Sequence, residues 1–323
     1  MKPSSTAFFP IALLTLTVAC DSANPINKTL TVHQAAGQGD ELTLEWLLKQ
    51  NLELVHAVDF AGKTPLHHAA ERGVEKTVKI LLGHRAALDT RDREGWTPLH
   101  YAAFNGRAGV INQLVEAKAD ATAKTRDGWI PIELALSRQS MSAVKQLIPT
   151  LSDVNTPLIN NTTLVHWAAA IGQVDLLNEL RRRNANVNLS LRDGTTPIHQ
   201  AAERGHIQAV QFFLDHQANV NAQNNLGQRP LHMAVLGGHN AVVELLLTHG
   251  ADPNVKDQAD SRALHLAAVL GNLEITRVLL THNADPNVRD NSHQLPWQRA
   301  QETGHDELAK FLRALHPTPR SGV

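Results

Sequence analysis

The chain has 323 residues, 42% of them apolar and 19% charged, with a formal net charge of −1. That composition supports a sizeable buried core, and the near-zero charge gives no general pull toward nucleic acid or an anionic membrane surface. A single cysteine, Cys20, excludes an intramolecular disulfide and a cysteine-rich zinc site.

The first predicted element is an N-terminal targeting segment. MKPSST supplies one lysine, AFFPIALLTLTVA supplies about a dozen largely apolar residues, and Cys20 follows. The run is shorter than the roughly 20 residues of a membrane-spanning helix, and Pro10 interrupts it. Thr17-Val18-Ala19-Cys20 resembles a bacterial lipoprotein box, departing from it where Thr17 replaces the usual leucine and Leu16 stands one place early. The resemblance implies a signal peptide over 1–19, lipidation of Cys20, a linker over 20–28 and a place in the bacterial cell envelope. Asp21 resembles an inner-membrane retention mark, which in a Gram-negative cell would hold the protein on the periplasmic side. An ordinary cleaved signal and an unrelated apolar tail are the alternatives that the residues leave open.

After this segment the chain repeats itself. TPLHHAAERG begins at Thr64 and TPIHQAAERG at Thr196, and the central histidine falls on a regular ruler. The marked positions are His33, His67, His100, Glu133, His166, His199, His232, His265 and Gln298, with every step 33 residues except the first, which is 34. The closing glycine keeps the same pace from Gly39 through Gly73, Gly106, Gln139, Gly172, Gly205, Gly238 and Gly271 to Gly304. The reading is nine repeats over 29–315, near 29–63, 64–96, 97–129, 130–162, 163–195, 196–228, 229–261, 262–294 and 295–315, followed by a disordered tail over 316–323.

One repeat shows why the pattern folds. Thr64 is a helix N-cap, Pro65 suits the first helical position, and Leu66, Ala69 and Ala70 form a narrow apolar stripe. Gly73 ends that helix in a left-handed conformation, and a second helix buries Val78, Leu81 and Leu82. A turn glycine then recurs at Gly62, Gly95, Gly128, Gly194 and Gly227, replaced by Asn161, Asp260 and, with an expected loosening, His293. In the first repeat Leu30 takes the place of the capping threonine. The fourth lacks the threonine, the histidine and the closing glycine, and Pro149 is placed to end its second helix; it is either drift in a tolerant array or a bend. Arg313 with Glu307 and Lys310 makes the last repeat a polar outer cap.

The 33-residue period with T-P-L-H-x-A resembles the ankyrin-repeat family over nearly all of the chain after the N-terminal segment. The resemblance implies an all-α repeat solenoid of helix-turn-helix pairs with hairpin loops, whose variable positions line a groove that grips protein partners. It also implies that the phrase histidine bonds the capping threonine and neighbouring backbone.

Eighteen histidines invite a metal or acid–base proposal, yet fourteen fall on repeat positions, and no H-E-x-x-H, G-x-S-x-G or phosphate-loop motif occurs. No catalytic residue, metal or cofactor is expected. The triplet Arg181-Arg182-Arg183 puts a charge at the register of Leu82, read as a snorkelling stem or as an anionic-partner patch. Trp46 and Trp297 are placed in the core or the caps. Six other aromatics sit at variable places: Phe60 and Trp96 and Trp129 by the turn glycines, Tyr101 and Trp167 in the H-x-A phrase, and Phe104 after an Ala-Ala pair. They are expected to form one amphipathic partner-binding strip, since large rigid aromatics are what interface hot spots use; the other reading is that Trp96 and Trp129 only cover hairpin backbone. The function expected is a non-enzymatic, monomeric protein-binding scaffold, exported and lipid-anchored, binding no nucleic acid and meeting a membrane only through its anchor. A secreted bacterial effector that binds host proteins is the alternative, and an enzyme is a third.

Overall fold

The computed structural model describes residues 26–159 and 161–315. Cys20, the segment over 1–19 and the tail over 316–323 lie outside them. The chain divides into two compact units, Met1–Ser152 and Asp153–Val323, and the division falls inside the irregular fourth repeat.

The described residues form an all-α repeat fold of eighteen α-helices, with no β-strand among them. The first unit stacks four pairs: α1 Val32–Gln38 with α2 Glu41–Gln50, α3 Pro65–Arg72 with α4 Glu75–Gly83, α5 Pro98–Phe104 with α6 Ala108–Glu116, and α7 Pro131–Ser137 with α8 Met141–Leu147. The second stacks five: α9 Leu164–Ala170 with α10 Val174–Arg182, α11 Pro197–Glu203 with α12 Ile207–Asp215, α13 Pro230–Leu236 with α14 Asn240–Thr248, α15 Ala263–Val269 with α16 Leu273–Thr281, and α17 Pro296–Glu302 with α18 Asp306–Ala314. Helices of seven to ten residues are marginal alone, so each holds by packing within its pair and against a neighbouring pair. Leu66, Ala69 and Ala70, Leu99, Ala102 and Ala103 are all fully buried, and the small alanines let successive first helices approach closely.

Each repeat is stitched to the next by polar groups as well as by packing. One backbone bond joins successive hairpins: Arg93 N–H to the Ala61 carbonyl at 2.9 Å and Arg126 to Glu94 at 3.0 Å in the first unit, Asn225 to Asp193 at 2.7 Å and Gln258 to Leu226 at 3.0 Å in the second. Within a hairpin, the carboxylate of Asp59, Asp92, Asp257 or Asp290 accepts two N–H groups of its own turn. The second unit adds an asparagine ladder. Asn155, Asn188, Asn221 and Asn254 each accept an N–H 31 residues ahead with Oδ1 and donate Nδ2–H to a carbonyl 29 residues ahead. In the first unit Asp89 holds the same register, and its carboxylate takes only the Asp120 N–H, at 2.9 Å. An amide can give and receive; a carboxylate can only receive.

Several expectations need correction. The first helix is capped by Thr31, not Leu30: Gln34 accepts the Thr31 N–H at 3.0 Å and returns its own N–H to the Thr31 hydroxyl at 3.2 Å. Thr31 stands 33 residues before Thr64 and Gln34 33 before His67, so the cap keeps the repeat step, and His33 beside Gln34 only mimics the phrase one place early. Pro149, by contrast, ends α8 as expected: the Ile148 N–H makes the last helical bond, to Val144, the proline has no N–H for the next, and the chain passes into a 3₁₀ turn, Ile148–Thr150. Leu82 is only half-buried and Arg181 is exposed, so no charge enters the core there; Arg182 and Arg183 both pair with Glu179. The His293 hairpin is not loosened, because His293 takes the left-handed conformation (φ 61°) and Asp290 still closes the turn. At the C-terminal end Trp297 is half-buried with the Arg313 guanidinium 5.1 Å above its ring, a polar lid over an aromatic. Trp46 is likewise half-buried.

Candidate functional site

The phrase histidines are built into the stack. His67 is fully buried; its Nδ1 accepts the Thr64 N–H at 3.0 Å and lies 2.8 Å from the Thr64 hydroxyl, and Nε2 lies 3.1 Å from the Trp96 carbonyl of the next hairpin. The arrangement requires a neutral ring with its proton on Nε2, donating across to the following repeat. His100, His199 and His265 repeat it onto Trp129, Gln228 and Gln294. Burial pushes these imidazoles down, to about 4 for His67 and His199, so each remains the neutral connector its bonds demand. Glu133 and Gln298 fill the place with an oxygen that accepts the cap N–H at 2.8 Å in both repeats. Among the described residues no group of three or more His, Cys, Asp and Glu side chains is arranged to hold a metal ion.

Of the six aromatics expected in one strip, the structure brings three together. Trp96 lies 4.9 Å from Tyr101 and 5.4 Å from Phe104, centroid to centroid, the second pair edge to face. Trp96 reaches this place from the hairpin, while Tyr101 and Phe104 stand three residues apart on one face of α5. All three are half-buried. The Tyr101 hydroxyl donates to Asp92 at 2.6 Å, and burial together with that carboxylate pushes its ionisation up, keeping it a donor. Asp92 is itself fixed by the Glu94 and Trp96 N–H groups, so one carboxylate locks both rings.

Two cations, unmarked by any motif, close the cluster. Lys63 Nζ stands 4.1 Å from the Tyr101 ring and 2.9 Å from Glu71, and the exposed Arg138 guanidinium lies 4.8 Å from the Phe104 ring. The order across the first four repeats is therefore Lys63, Tyr101, Trp96, Phe104, Arg138: three rings capped by charge at both ends. The 33-residue ruler contained the signal, since Lys63 and Trp96 share one register position.

The other three aromatics do not join this group. Phe60 is 88% exposed on its hairpin, the most exposed large apolar side chain among the described residues. Trp129 is half-buried and offers its carbonyl to His100. Trp167 is a half-buried member of α9 in the second unit. A cavity of about 400 Å³ in the second unit is lined by Ile159, Asn161, Leu191, Arg192 and Asp193, and its guanidinium bonds the Asn161 side chain. No described helix is long and apolar enough to cross a membrane.

Comparison with protein-family models identifies the repeats. A model of three ankyrin copies matches residues 32–125 and again 165–257, and a single-repeat ankyrin model matches 262–291. The gap between the first two matches contains the irregular fourth repeat. No curated protein matches the chain. Ankyrin repeats commonly bind protein partners and are in general non-catalytic interaction modules. With the matches spanning more than half of its length, the chain belongs to the ankyrin-repeat family and is a protein–protein interaction scaffold.

Proposed function

We propose that the chain is an exported, lipid-anchored, monomeric scaffold without enzymatic activity, which captures a protein partner on the face built by Trp96, Tyr101 and Phe104. The observation that carries this reading is the cation-capped ring cluster. Rigid aromatics held half out of solvent, with Asp92 fixing their orientation, give contact area at little conformational cost on binding. Lys63 is already matched by Glu71, whereas the exposed Arg138 is available for an acidic group of the partner. Phe60 and Trp129 enlarge the face only if the partner spans several repeats.

Anchorage rests on the sequence around Cys20, which supplies the acceptor for acyl chains that would hold the scaffold at the cell envelope. The test is crosslinking in the native cell followed by affinity capture and mass spectrometry, using wild type, a Trp96→Ala/Phe104→Ala variant and a Cys20→Ser variant. An envelope protein captured by wild type and lost with the ring variant supports the reading, as does incorporation of labelled fatty acid that disappears with Cys20→Ser. Undiminished capture by the ring variant refutes the site. Absence of label in wild type, with recovery in the medium, refutes the anchor and favours secretion.

A further inference from the structure

The face that holds Tyr101 and Phe104 in the third repeat recurs every 33 residues, and in the second unit the same places turn aliphatic. Met233 and Leu236 occupy them on α13, and Leu266 and Val269 on α15, a helix pair packed side by side. Leu236 is 41% exposed, Val269 38%, Leu270 44% and Leu273 38%. Scattered exposed leucines are ordinary; four large aliphatics over two neighbouring repeats form a row. Gly237 keeps the row open. A Cβ there would stand 2.4 Å from the Glu203 carbonyl oxygen, so a side chain is strongly disfavoured at the place that Arg204 fills one repeat before and Leu270 one repeat after.

At the Leu270–Leu273 end the bases are engaged, while two acids carry no ion pair. Arg299 is committed to Asp290 and Glu302, Arg277 is stacked on the Phe311 ring, and Lys310 is paired with Glu307. Glu274 and Asp306 remain as exposed first-turn acids of α16 and α18, next to the Leu270–Leu273 end. Arg204 stands two repeats before Leu270, at the other end.

We propose that this row docks an amphipathic helix of a partner protein, aliphatic over the seventh and eighth repeats and carrying Lys or Arg where it reaches Glu274 and Asp306. Adjacent helix pairs lie about 10 Å apart, and an α-helix rises about 1.5 Å per residue. Aliphatic side chains at i and i+7 therefore match successive repeats, one at i+3 or i+4 falls between them, and the bases lie a turn or two beyond. The surface is separate from the Trp96 cluster and selects for different chemistry.

The test measures fluorescence anisotropy of a labelled leucine–lysine amphipathic peptide, about five helical turns long, against the full chain, beside a leucine–glutamate counterpart. The lysine peptide should bind at least about tenfold more tightly than the glutamate peptide. The Leu236→Ser/Val269→Ser/Leu270→Ser variant should weaken it by about tenfold or more, and Glu274→Lys/Asp306→Lys should erase the preference. The Trp96→Ala/Phe104→Ala variant should bind as wild type does, which separates this surface from the first. All the substituted side chains in the second unit are exposed, so unchanged far-ultraviolet circular dichroism is expected in those variants. Equal affinity for the two peptides, or full binding by the serine variant, overturns the proposal. Self-association in sedimentation that vanishes with the serine variant also overturns it, by assigning the row to a second copy.

Discussion

Acid should unfasten this array through its phrase histidines, and His67→Gln isolates one of them. The His67 ring is fully buried, and its Nδ1 must accept the Thr64 N–H. A proton on that nitrogen would set donor against donor. Burial holds the folded ring at about 4, against the ordinary imidazole value of 6.5. The unfolded chain therefore takes the proton first, so the contribution of His67 is complete above about pH 6.5 and drains away as the pH falls toward about 4. At about 1.4 kcal/mol for each pH unit of that gap, the loss reaches about 3 kcal/mol. Glutamine keeps the cap, as Gln34 and Gln298 show by accepting the Thr31 and Leu295 N–H groups, but does not titrate. At pH 7 the substitution forfeits the bond to the Trp96 carbonyl and costs about 1 kcal/mol. Urea midpoints followed by tryptophan fluorescence at several pH values should show the variant weaker at pH 7 and stronger near pH 4.5, crossing a little below about pH 6. The remaining histidines titrate in both proteins and cancel in the difference. Stability curves that stay parallel down to pH 4 would refute the assignment of His67 as a neutral connector.

Two further substitutions test the stitching and one glycine. Asn221→Asp removes the donor to the Gly250 carbonyl and should cost about 1 kcal/mol in a urea melt, whereas Asp89→Asn supplies a donor at the matching register and should stabilise the first unit by up to a similar amount. Equal and opposite failure, with neither midpoint moving, would show that the amide bridges are replaced by water without loss. Gly237→Ala drives a Cβ to 2.4 Å from the Glu203 oxygen and should lower stability by about 1–3 kcal/mol, visible as a lower thermal midpoint; an unchanged midpoint would mean the turn relaxes freely.

The repeat architecture was legible because it is periodic. A proline at the first helical position, an alanine pair and a closing glycine recur often enough that single departures, such as Gln139 at φ 53°, do not obscure them. A false match was harder to see through. Thr31 was missed as a cap because His33 matches the phrase by residue type and lies one place before Gln34, the position that a 33-residue step from His67 reaches, and so moves the cap to Leu30. The site was legible only in part. Trp96, Tyr101 and Phe104 were marked by residue type, but their grouping depends on Asp92, Lys63 and Arg138, common residues that acquire meaning only once adjacent repeats are laid side by side. The asparagine ladder went unread for the same reason: Asn188, Asn221 and Asn254 look like ordinary turn residues until their partners 29 and 31 residues ahead are known.

The reach of these bridges bears on how such a chain can change in length. From the second repeat onward, the hairpin links and the histidine and asparagine bonds to the main chain of a neighbouring repeat span 29 to 36 residues. A tandem duplication of one 33-residue block would bring its own donors and acceptors in register with those already present. The entropic cost of closing each loop would be that of the loops before it. Growth or loss by whole blocks would thus leave every surviving bridge with a partner, while a gain or loss of a few residues inside a block would strand both ends of several at once.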